Sequence, residues 1–156
     1  MDLEKLYHEA QECTFNDSHT FNIKQAIELF SQVIASDPGF RFALEERSRC
    51  YFRLGMHEER IQDILAYTKG KPDIRSKVDI ADSLCHLGRY TEAVNLLKDL
   101  DLNPQQMSTF GLRLREKLFR LTNQSDHAEQ DKKQADQYDE EQKKLWDDPN
   151  YYGHYM

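Results

Sequence analysis

Cysteine, proline, glycine and tryptophan are all scarce in this chain of 156 residues, at three, four, six and one. Three cysteines, at 13, 50 and 85, are an odd number with no CxxC pair, so neither a disulfide framework nor a zinc finger is expected. They read as small packing residues in a reducing compartment. No run of about 18 apolar residues occurs, which excludes a membrane-spanning helix. The opening residues, Met1-Asp2-Leu3-Glu4-Lys5, are charged rather than apolar, and no secretory signal is expected there. Without one, the sequons at Asn16 and Asn123 carry no glycan expectation. Positive charge is also short: 21 Lys+Arg stand against 28 Asp+Glu, a net −7, which argues against a nucleic-acid surface. The expectation is a soluble intracellular protein, cytoplasmic with the nucleus left open, having no nucleic-acid or membrane partner.

What is present is helix-forming and repetitive. At 38% apolar the chain is polar, yet it has enough Leu, Ile, Phe and Tyr to bury the core of one domain or a short repeat array. Leu54-Gly55 recurs as Leu87-Gly88, and Pro38, Pro72 and Pro104 fall 34 and 32 residues apart. Between them, three sets share helical faces: Ile27, Phe30, Val33 and Ile34; Ile61, Ile64, Leu65 and Thr68; Val94, Leu97 and Leu100. Each helix is expected to end near Asp37-Pro38, Lys71-Pro72 or Asn103-Pro104, because proline cannot continue it. The unit is a helical hairpin of about 34 residues with a tight turn at Leu-Gly.

These residues resemble the tetratricopeptide repeat (TPR) family. In the second repeat Leu44, Tyr51, Leu54, Gly55, Ile64 and Pro72 match its pattern; in the third Ala81, Leu84, Gly88, Tyr90, Ala93, Leu97 and Pro104 do. The first is carried by Ala26, Phe30, Val33, Asp37 and Pro38, with a long loop from Thr14 to Asn22. Arg60 stands where the family prefers alanine, and looser hairpin packing is expected there. The resemblance implies an all-α, TPR-type α-solenoid of about three hairpins. Its repeats would span about 3–38, 41–73 and 74–104, with a degenerate helix at 105–121 built on Met107, Phe110, Leu114, Leu118 and Leu121. Residues 122–148 read as a polar capping helix, capped by Asp126 and Glu129, with Ala128, Ala135, Tyr138 and Leu145 as a narrow apolar stripe. A Tyr-rich tail, 149–156, follows, with Trp146 expected to anchor that corner.

Catalytic patterns fail one by one. His8-Glu9-Ala10-Gln11-Glu12 lacks the second histidine of HExxH, and His57-Glu58-Glu59 lacks it too. No two of the six histidines are spaced i,i+3 or i,i+4. Neither GxxxxGK[ST] nor GxGxxG occurs. Cys85-His86 are adjacent on a helix and aim apart, so no nucleophile–base pair forms. No enzyme activity, metal or cofactor is expected.

The resemblance implies instead a groove formed by the first helix of each hairpin, binding a peptide or helix of another protein. It would present Phe42, Glu45, Glu46, Arg49, Phe52 and Arg53 from the second repeat. Arg75, Val78, Asp79, Asp82 and His86 would come from the third. A non-catalytic adaptor is the expectation, its oligomeric state open; a co-chaperone engaging Hsp70 or Hsp90 is the alternative partner reading. The family's clamp for their acidic tails is broken here, since Glu9, Glu46 and Asp79 occupy positions where it places Asn, Asn and Arg. Only Lys5 and Arg75 fit it. The charge itself is uneven: from Ser125 onward nine acids face four lysines, net −5, leaving −2 for residues 1–124.

Overall fold

A computed structural model describes residues 2–149; the expected tail beyond Pro149 lies outside the described residues. Among these residues all regular structure is helical. The chain divides into two compact units, Met1–Leu87 and Gly88–Met156. The first holds α1 (Leu3–Glu12), α2 (Ile23–Ser36), α3 (Arg41–Arg53), α4 (His57–Tyr67) and α5 (Ile74–His86). The second holds α6 (Tyr90–Leu97), α7 (Pro104–Met107), α8 (Phe110–Leu121) and α9 (Ser125–Asp147). No helix among the described residues is long and apolar enough to cross a membrane.

In the first unit, side-chain oxygens start three of the helices. Asp2, Asn22 and Asp73 accept the backbone N–H of Lys5, Gln25 and Ser76, satisfying donors that a helix start leaves bare. Small residues then allow close helix contact: Ala10, Ala26 and Ala43 are wholly buried around Phe30, Val33 and Cys50. Tyr7 closes this core with its ring 5.7 Å from Phe30 and 5.3 Å from Phe40. All three cysteines are buried and free, and burial pushes the Cys50 thiol up to about 11, which keeps it protonated and unreactive.

Three turns end helices by one device. Gly55 (φ +71°) follows Leu54, its N–H donates to Phe52 C=O, and Met56 N–H reaches back to Tyr51 C=O at 2.8 Å. Lys69 (φ +53°) and Gly70 repeat the pattern onto Ala66 and Leu65, stopping α4 four residues short of Lys71. Asn123 (φ +60°) and Gln124 repeat it onto Arg120 and Phe119. The prolines therefore do less than expected. α6 ends at Leu97, and Pro104 begins α7 instead of following a helix end, with Asn103 as the N-cap.

Two buried faces are rotated from expectation. α4 buries Arg60, Asp63 and Ile64, leaving Leu65 exposed, because both charged residues have partners. Asp63 takes a two-pronged bond from Arg47 on α3, at 2.8 and 2.7 Å, and Arg47 also donates to Ser31. α8 buries Leu112, Leu114, Leu118 and Phe119, while Phe110 and Leu121 stay exposed and Met107 lies on separate α7.

The second unit contains a hairpin built like α3–α4. Arg115 on α8 grips Asp131 on α9 at 2.8 Å through both prongs, again 16 residues apart. Its remaining amine donates to the carbonyls of Leu97 and Leu100, completing the end of α6. Ala26, Arg60, Ala93 and Ala128 fall 34, 33 and 35 residues apart and all are buried. α9 is thus a long polar helix that also serves as the second helix of an in-register hairpin. Its N-cap is Gln124, not Asp126, and Glu129 pairs with Arg120 instead of closing a capping box. Ala128 and Ala135 are fully buried, whereas Leu145 and Trp146 are about half exposed.

Candidate functional site: a cleft between α3 and α5

Within the first unit, α3 and α5 flank a cleft of about 230 Å³. α3 contributes Arg41, Glu45, Ser48, Arg49 and Phe52, spaced so that they share one helical face. From the start of α5 come its N-cap Asp73, then Arg75, Ser76 and Asp79, and α4 closes the floor with Arg60 and Tyr67.

Arg60 organises the floor. At 8% exposure it donates to Asp79 at 3.0 Å, to Asp82 at 3.0 Å and to the Ser83 hydroxyl at 3.1 Å. Its guanidinium lies 4.3 Å from the Phe52 ring centre, a cation–π contact that holds the half-exposed ring at the cleft. The position where alanine was expected is filled by this cluster, and the looser packing expected there gives way to a buried ion network. Burial nevertheless outweighs Arg60 at Asp79, whose carboxyl is raised above the ordinary range. Beyond Asp82, His86 stacks on His57 from α4 with ring centres 4.4 Å apart and planes at 17°. His57 is pushed below its ordinary value by burial first, then by His86 and Arg60.

On the wall, exposed Arg49 binds Glu46 at 2.7 Å and Glu45 at 2.9 Å. Arg41 rests 5.7 Å above the Tyr67 ring, and Arg75 is exposed. Asp73 is held low by the Ser76 backbone and hydroxyl, then by Arg41 and Arg75.

Of the residues expected from sequence, Glu45, Arg49, Phe52, Arg75 and Asp79 line the cleft. Glu46 and Asp82 stand beside it as ion partners of Arg49 and Arg60. Val78 is buried, and His86 belongs to the histidine stack. Phe42 is 64% exposed on α3 but does not line the cleft. Arg53 is committed elsewhere: it donates to Thr14 C=O and Asn16, and lies over Phe21 in the long α1–α2 loop. Sequence reasoning missed Arg41, Ser48, Arg60, Tyr67, Asp73 and Ser76 as lining residues. Arg60 alone carried a signal, as the odd residue at a small-residue position.

With this geometry in place, likeness to solved structures can be read. MamA MSR-1, in its C2 form, superposes with a TM-score of 0.73 over 91% of this chain and 79% of its own, at 19% identity. The MamA RS-1 double mutant gives 0.77 over 90% and 77%, at 12% identity. MamA AMB-1 gives 0.75 over 90% and 74%, at 18% identity. The fold is a TPR-type α-solenoid. At these identities the likeness is one of fold. No family model and no curated protein matches the chain. Among the described residues, no three His, Cys, Asp or Glu side chains gather to hold a metal.

Proposed function

We propose that the chain is a non-catalytic adaptor whose α3–α5 cleft binds a segment of another protein. The observation that carries this reading is the cleft itself. A half-exposed aromatic ring is fixed from below by a buried guanidinium, with exposed arginines on both walls. Such a surface offers apolar area and charge-assisted hydrogen bonds in one place, the two ingredients of peptide capture. The TPR-type fold supports the reading, since stacked hairpins expose helix faces suited to extended ligands. Holding partners together would be the whole mechanism.

The cytoplasmic co-chaperone alternative has less support. Glu46 and Asp79 occupy two positions of the family's clamp and are paired to Arg49 and Arg60, so neither position offers a donor to an acidic chaperone tail. Calorimetry with an Hsp70 or Hsp90 C-terminal peptide at high micromolar protein should register no heat of binding. Micromolar affinity, roughly −8 kcal/mol, would reinstate the co-chaperone.

The adaptor reading is tested by selecting binders from a random 12-residue peptide library on the full chain. Selected peptides should lose binding to the double variant Arg41→Glu, Arg75→Glu. Binding that survives this reversal but vanishes on removing residues 126–156 would contradict it.

A further inference from the structure

The charges of the cleft are graded along its length. Arg41 and Arg75 stand four residues before Glu45 and Asp79, so each wall presents a cation and then, one helical turn on, an acid. The two pairs are also 34 residues apart, the repeat spacing of the chain. Neither Arg41 nor Arg75 has a salt bridge within 4 Å among the described residues; both act on Asp73, two guanidinium groups against one carboxylate that also caps α5, and Arg75 acts on Asp79 as well. One turn further the balance reverses. Glu45 and Glu46 share the single guanidinium of Arg49, and Asp79 and Asp82 share that of Arg60. One end of the cleft is short of anions and its middle is short of cations.

Spacing narrows the occupant further. An extended chain sends alternate side chains to one side, about 6.5 Å apart. Four residues along α3 or α5 cover about 6 Å, which matches that interval.

We propose that the cleft takes an extended partner segment carrying Asp or Glu and, two residues away on the same side, Lys or Arg. The acid meets Arg41 and Arg75; the base meets Glu45 and Asp79. The residue between them faces out of the cleft and is unconstrained. This rests on the adaptor reading and adds to it the charge order of the ligand, which fixes the direction in which the segment lies.

The test uses the peptides selected on the full chain. Those bound should be enriched in an acid and a base at i and i+2, in one order only. In fluorescence polarisation, replacing the acid of one such peptide by Lys should weaken it roughly tenfold on the wild type, the size expected of a close charge contact. On Arg41→Glu with Arg75→Glu the preference should invert, the Lys-bearing peptide binding tighter than the original. Both arginines are exposed, so unchanged helicity is expected of the variant. Selected peptides with no charge pattern, or with both orders equally frequent, would overturn the charge-graded ligand while leaving the adaptor standing. Failure to select any peptide would overturn both.

Discussion

Arg60 shows how one residue can decide both packing and site. Its charge is buried, and it is tolerated because two carboxylates, a hydroxyl and an aromatic ring surround it. Truncation to alanine would leave Asp79 and Asp82 without their cation, and removing one partner of a buried ion group costs about 3–5 kcal/mol. Arg60→Ala should lower the urea midpoint accordingly; a loss below about 1 kcal/mol would show the network to be idle. His57 makes a second residue-scale prediction. Its folded-state pKa lies below the ordinary 6.5, so the unfolded chain binds the proton more readily and stability falls as pH drops through that value. His57→Gln should flatten this fall between about pH 7 and 5.5. Asp79, raised by burial, works in the opposite sense, which is why variant and wild type are compared at the same pH. A melting curve whose pH dependence is identical in both proteins would refute the assignment. In the sequence Arg60 stood out as an exception, but its partners did not, because Asp79, Asp82 and Ser83 lie on another helix and nothing local ties them to it.

At the scale of elements, helix type and hairpin order were readable from apolar spacing and from Leu-Gly, while helix ends were not. Proline was given the work of stopping α2, α4 and α6, yet α4 is stopped by left-handed Lys69 and α6 ends at Leu97, well before Pro104. Gly55 is the legible case; at Lys69, which Gly70 follows, and at Asn123 the left-handed residue is not glycine, and no sequence rule singles out the lysine. A Cβ built on Gly55 would meet nothing within 4 Å, so the cost of Gly55→Ala is conformational alone. It should amount to about 1–2 kcal/mol in denaturant unfolding, and a neutral result would mean the α3–α4 turn relaxes to another form. On α8 the expected Leu114 and Leu118 are buried, joined by Leu112 and Phe119 in place of Phe110 and Leu121. The buried face of α4 was misplaced because apolar residues were taken as the inward ones: Asp63 is buried against Arg47, and a paired charge is invisible to a hydrophobic pattern.

For the whole molecule, the net −7 acquires a structural meaning. Four of the nine acids from Ser125 onward face arginines of α8: Asp131 meets Arg115, Asp136 and Asp139 meet Arg113, and Glu129 meets Arg120. The acidic end of the chain therefore holds α9 against α8 as well as facing solvent. Little of the cleft could be read in advance, because its floor comes from α4, which the repeat pattern assigns to the hairpin interior. Its walls were partly foreseen, through Glu45, Arg49, Phe52, Arg75 and Asp79. The central claim is that this cleft receives the partner, and amide chemical-shift mapping of the full chain with a selected peptide tests it most directly. The account predicts the largest shifts at Arg41, Glu45, Ser48, Arg49, Phe52, Arg75 and Asp79, with α9 unmoved. Shifts concentrated on α9 or on the loop from Thr14 to Asn22, with those seven amides unchanged, would contradict it.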